Sequence, residues 1–126
     1  MRYAPEHKEK TRTRILAAAG RVFRRLGYHA AGVDAVMAEA GLTAGGFYAH
    51  FDSKQALLAE AIEYVRAESC ERRASWTGDR SGREWIEGFL GGYLSNGHRR
   101  RIENGCPLAA LLSEVSRADD EAKAML

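Results

Sequence analysis

The chain is short of several things. It has two cysteines, Cys70 and Cys106, too few for a disulfide framework. No apolar run is long enough to cross a bilayer, and the first residues are charged rather than signal-like. These absences exclude a transmembrane protein and point to reduced thiols in a cytoplasm, with no membrane partner. No segment alternates with the period of a strand, and no internal repeat or low-complexity tract is present. An enzyme would need a constellation, and none is legible. His7, His29, His50 and His98 are scattered without metal-ligand spacing, and there is no nucleophile elbow or zincin motif. The expectation is a non-enzyme that needs no metal and no cofactor.

What is present is an ordinary globular composition, 45% hydrophobic and 29% charged over 126 residues. The net charge is only +2, yet residues 1 to 26 hold eight basic side chains against two acidic ones. That opening segment therefore carries +6, and a polyanion partner at this end is one reading of it. A solvated helix face is the other.

Helical periodicity runs through the chain. Ile15, Leu16, Ala19, Val22, Phe23 and Leu26 recur at spacings of three and four, which predicts a helix from about Lys8 to Leu26 stopped at Gly27. Val33, Val36, Met37 and Ala40 predict a second helix, with Gly32 as its N-cap and Gly41 as its end. Thr43 can cap a third, and Asp52 with Gln55 can form a capping box for a fourth that reaches the region of Cys70. "SWTGDRSG", residues 75 to 82, reads as a loop. Trp85, Ile86, Phe89, Leu90, Tyr93 and Leu94 form another stripe. Pro107 opens a helix bearing Leu111, Leu112 and Val115, and Asp119, Asp120 and Glu121 form the acidic first turn of a last one. The prediction is an all-α protein.

The stretch "GLTAGGFYAHFDSK", residues 41 to 54, decides the functional reading. It lacks the preceding strand and the Gly-Lys-Ser/Thr or GxGxxG spacing of a phosphate loop. A flexible linker has no reason to bury Phe47 and Phe51, which lie four apart on one helix face. With those rings inward, Gly45, Gly46 and Ala49 point away, flanked by Tyr48 and His50. Such a short helix after a tight turn is the second half of a helix-turn-helix, whose outer face enters a major groove.

Here the residues carry a family resemblance. "ILAAAGRVFRRLGYHAAGVDAVMAEAGLTAGGFYAHFDSKQALLAEAI" resembles the N-terminal domain of TetR family transcriptional repressors, over about Thr11 to Val65. The resemblance implies a three-helix DNA-binding domain over residues 1–53. A fourth helix would join it to a truncated ligand-binding and dimerisation domain over 54–126. It also implies a homodimer on a palindromic DNA operator, released by a small-molecule inducer. By position in the motif, Thr43, Gly45, Gly46, Tyr48, His50 and Lys54 are the expected DNA contacts, with Lys54 and two rim side chains suited to phosphates. Ala31 and Gly32 stand where relatives often carry threonine or serine, so one phosphate contact and one cap are missing. Gly45 and Gly46 also weaken the third helix by roughly 1 kcal/mol each. Base-edge donors are scarce on that face, so DNA shape and a basic arm containing Arg2 are expected to contribute specificity.

Farther along, the aromatic stripe Trp85, Phe89 and Tyr93 reads either as a wall of the ligand pocket or as plain bundle core. Cys106 precedes Pro107 at a predicted helix start, where amides and dipole favour a thiolate. It is a candidate ligand or sensor residue, against the favoured alternative of a small buried hydrophobe, with Cys70 as its internal control. "HRRR", residues 98 to 101, reads as a solvated helix end, with anion binding the less favoured alternative. The family dimerises through helices near the C-terminus, so this chain is expected to be a shortened form that dimerises poorly. The competing functional class is a small helical module that binds a protein instead of DNA.

Overall fold

A computed structural model describes residues 4 to 125, and every described element is helical. Helix α1 spans Pro5–Leu26 and begins earlier than the apolar periodicity suggests. Pro5 sits in its first turn, where a missing N–H does no harm, and Glu6 complements the dipole there. It stops at Gly27, whose φ of 82° only glycine adopts without strain and whose N–H donates to the Phe23 carbonyl. Helix α2 spans Val33–Glu39 after an extended Gly32 that supplies no side-chain cap.

The third helix departs from expectation. Residues Ala44–Ala49 form a 3-10 helix, and the Thr43 hydroxyl makes no capping bond although Thr43 occupies the N-cap position. Two adjacent glycines in a six-residue element give too little helix propensity for regular α turns, and the tighter form suits short pieces.

Helix α3 spans Lys54–Thr77. Its cap is Ser53, which accepts the Ala56 N–H at 3.0 Å, so the Asp52–Gln55 capping box is off by one residue. The helix also runs past Cys70, taking Ser75, Trp76 and Thr77 out of the expected loop. Its polar stretch from Glu71 to Ser75 dilutes the apolar stripe, and the true stop is Gly78 at φ 54°. Then follow α4 (Gly82–Tyr93), α5 (Asn96–Arg100), a 3-10 turn (Ile102–Asn104), α6 (Pro107–Val115) and α7 (Asp120–Ala124).

One core joins these elements. Phe23, Met37, Phe47, Leu57, Leu58 and Ile62 cluster with Leu111, Val115 and Ala122 from the last two helices. Each large side chain buried this way stabilises the fold by roughly 1.5–3 kcal/mol. Where α1 crosses α3, Gly20 is required: a Cβ there would lie 2.3 Å from Val65 Cγ1. Helix α4 behaves differently, for it buries no residue fully. Its Gly92 backs onto the Trp76 indole so closely that a Cβ would lie 2.2 Å away. Trp85, Ile86, Leu90 and Leu94 remain exposed on the other side.

Candidate nucleic-acid interface and effector cavity

The 3-10 helix is pinned from below. Phe47 is fully buried and Phe51 is 3% exposed, with ring centroids 5.7 Å apart in a stacked pair. Phe47 also meets the Tyr48 ring edge-on at 5.1 Å. Tyr48 itself is 72% exposed, and Thr43, Gly45 and Ala49 are exposed beside it. A tyrosine so exposed is accessible to a partner, and its hydroxyl can donate to a phosphate oxygen. Nothing lies within 4 Å of a Cβ built on Gly45, so that backbone is open to close approach.

His50 is half-buried at the rim. Its Nδ1 is buried with no hydrogen-bond partner among the described residues. Burial, followed by the nearby charges of Lys8 and Arg12, pushes the imidazole below its ordinary pKa. Both effects favour the neutral ring in the free protein. Lys54 opens α3, and its Nζ lies 4.4 Å from the centre of the Tyr28 ring. That cation–π contact holds the ammonium at the helix start without neutralising it.

The six expected DNA-facing residues thus lie along one continuous stretch of backbone. Sequence reasoning missed a neighbour. A groove of about 490 Å³ runs between the start of α1 and the 3-10 helix, and Lys8, Thr11, Leu42, Gly46, Ala49 and His50 are among its walls. Lys8 and Thr11 belong to it because α1 begins at Pro5. The arm residue Arg2 lies outside the described residues.

The basic opening segment is largely engaged within the molecule. Arg12 Nη2 donates to both carboxylate oxygens of Glu60, at 2.7 and 2.6 Å, and the guanidinium covers the Phe51 ring at 4.3 Å. Arg14 donates to the Ala40 carbonyl at the end of α2, and Arg21 pairs with Glu39. Arg24, 6% exposed, donates to the Gly20 and Gly105 carbonyls and lies 3.6 Å from Glu68. Arg25 reaches Glu39 and Glu103. Much of the +6 therefore clamps helices together, and charge counting alone overstates what is left for a polyanion.

Of the expected ligand residues, Phe89, Tyr93 and Cys106 line one cavity of about 210 Å³ between α3, α4 and α6. Trp85 stacks on Phe89 at 5.4 Å but lies outside that lining and is 43% exposed. Trp76, assigned to a loop from sequence, is a wall instead. Hydrogen bonding to the Cys106 thiol, then burial, holds the Tyr93 phenol above its ordinary pKa. Cys106 occupies the N-cap position of α6, while Cys70 is exposed and accepts from Arg73 at 3.0 Å.

Comparison with known proteins places this geometry. Residues 15–61 match the family "Bacterial regulatory proteins, tetR family". The HTH-type transcriptional regulator LmrA of Bacillus subtilis is 30% identical over 111 residues, 84% of this chain and 57% of LmrA. UidR of Escherichia coli, another HTH-type transcriptional regulator, is 41% identical over 54 residues, 43% of this chain and 28% of UidR. A TetR transcriptional regulator from Chloroflexus aurantiacus superposes with a TM-score of 0.75 at 30% identity, over 95% of this chain and 60% of that one. The reduced form of E. coli NemR shares the fold, with a TM-score of 0.76 at 23% identity over 92% of this chain and 61% of NemR. The chain thus spans less than two thirds of the proteins it matches. Among the described residues no helix is long and apolar enough to cross a membrane. By its sequence and its helical fold, the chain belongs to the TetR family of transcriptional regulators.

Proposed function

We propose that the chain is the DNA-reading part of a ligand-responsive repressor that works as a homodimer on a palindromic operator in the cytoplasm. The observation that carries this reading is the 3-10 helix itself. Phe47 and Phe51 are buried, so Thr43, Gly45, Tyr48 and Ala49 stand free on the opposite face. Gly45 and Gly46 admit the DNA backbone closely, Ala49 offers a methyl to thymine, and Tyr48, His50 and Lys54 take phosphates. Residues 1–53 form the reading unit and 54–126 the connecting helix and regulatory part. Phe89, Tyr93 and Cys106 hold the inducer, and Trp85 stiffens their stack from outside.

Selection of bound sequences from random duplexes tests this directly. A recovered inverted repeat with half-sites about 34 Å apart supports it, and recovery of no consensus contradicts it.

The exposed stripe Trp85, Ile86, Leu90 and Leu94 favours a second reading, a helical module that binds a protein. Salt separates the two. Duplex affinity falls steeply as salt rises, whereas an apolar contact changes little.

A further inference from the structure

We propose that the effector cavity takes a small aromatic carboxylate, an inference that rests on the ligand-responsive reading above. Two hollows adjoin at this place, of about 210 and 240 Å³, and share Arg72, Trp76 and His98 as common walls. The first adds the rings of Phe89 and Tyr93 with the Cys106 thiol. The second adds the Ser75 and Ser95 side chains, the Gly97 backbone and Arg101. No carboxylate lines either one. A cavity walled by three arginines, with no acidic side chain in its lining, selects against cations and favours an anion.

The cations differ in how far they are already satisfied. Arg72 donates to the Asn104 carbonyl and has Glu68 at 3.7 Å. Arg73, in the first hollow, donates among the described residues to the Cys70 sulfur alone. Arg101 has no hydrogen bond or ion pair from its guanidinium among the described residues. Arg99 and Arg100 continue the basic run as exposed residues and line neither hollow. Arg101 is thus the member of "HRRR" that borders the second hollow, and its planar fork matches a carboxylate in two-point contact. His98 Nδ1 lies 2.6 Å from the Tyr93 carbonyl, which can only accept, so Nδ1 carries the proton and is spent inside the protein; Nε2 of that neutral tautomer is an acceptor, which leaves the carboxylate to the arginines.

The remaining walls set the shape. Phe89 and Tyr93 are stacked at 5.6 Å and 15°, and Trp76 stands edge-on to Phe89 at 6.3 Å and 66°. His98 is likewise edge-on to Trp76, at 5.4 Å. Ring faces and ring edges at right angles suit a flat aromatic guest. The first hollow falls below the roughly 300 Å³ at which drug-sized pockets begin, so one or two rings fit and a larger scaffold does not.

The test uses the full chain without DNA and follows tryptophan fluorescence and calorimetric heat. The probes are benzoate and 2-naphthoate, their neutral amides, and benzylammonium. At least one carboxylate should bind saturably, at least tenfold tighter than its amide, with benzylammonium weakest. Arg101→Gln should erase most of the carboxylate preference while leaving the amide affinity and Tm unchanged. Arg100→Gln, outside both hollows, should leave the preference intact. Amides binding as tightly as carboxylates, no saturable carboxylate binding at millimolar concentration, or an undiminished preference in Arg101→Gln would each overturn the proposal. Operator binding measured on the same samples keeps the two readings apart. Carboxylate binding without operator binding counts against the DNA reading alone, and operator binding without carboxylate binding counts against this one.

Discussion

The Glu114 carboxylate accepts the backbone N–H groups of Tyr28 and His29 at 3.0 and 2.8 Å. It reaches from α6 to the turn that follows α1, 85 and 86 residues away in sequence. Both oxygens are used, one on each amide, and Gly27 beside them leaves no room for a Cβ, which would lie 2.7 Å from Oε1. Together with the Arg24 bond to the Gly105 carbonyl, it ties the segment carrying Cys106 to the end of α1.

Removing that carboxylate leaves two backbone donors without their acceptor. Glu114→Ala should cost about 1–3 kcal/mol in urea unfolding. Glu114→Gln keeps one acceptor oxygen and should cost less. An unchanged midpoint in Glu114→Ala would show that water replaces the carboxylate freely.

Gly45 separates folding from recognition. Nothing meets a Cβ there, so Gly45→Ala should stabilise the fold by up to about 1 kcal/mol through helix propensity. If DNA comes close to this backbone, the same methyl should weaken operator binding. Greater stability with unchanged affinity would move the contact surface elsewhere on the helix.

Acid should act through His50. Its folded pKa is lowered, chiefly by burial, while the unfolded chain has the ordinary value of about 6.5. Below that value the unfolded state binds more protons, so stability is present above it and is lost as pH falls. Thermal unfolding of the wild type should therefore weaken more steeply between pH 7 and 5 than that of His50→Gln. Parallel curves would mean that other groups carry the acid sensitivity.

The two thiols should part in consequence more than in rate. Cys70 is exposed and should alkylate at least as fast as half-buried Cys106. Only adducts on Cys106 fill the cavity beside Tyr93, so in a Cys70→Ser background alkylation should loosen the operator complex. Full labelling of Cys106 with operator binding intact would make it a packing residue.

How much of this was legible beforehand varied with the physics involved. Phe47 and Phe51 announced their shared face because spacing alone fixes it, and Gly27 and Gly41 marked true stops. Ser53 was missed because Asp52 offers an equally good capping oxygen one residue earlier, and local chemistry cannot choose between them. Trp76 was misassigned because its partners, Gly92 and Phe89, lie on another helix. The internal pairing of Arg12, Arg21, Arg24 and Arg25 was invisible for the same reason, since Glu60, Glu39, Glu68 and Glu103 come from later in the chain. The lining of the cavity beside Tyr93 draws on residues from Ser69 to Leu108, and only tertiary packing brings them together.

The central claim is that the start of α1, the 3-10 helix and the start of α3 grip duplex DNA through phosphates. The most direct measurement is operator affinity against salt concentration, for the wild type and Lys54→Ala, on the selected sequence and on an unrelated duplex. The account predicts that Lys54→Ala weakens both duplexes by a similar factor and flattens the log–log salt slope by about one. Equal affinity and equal slope in wild type and Lys54→Ala would contradict it.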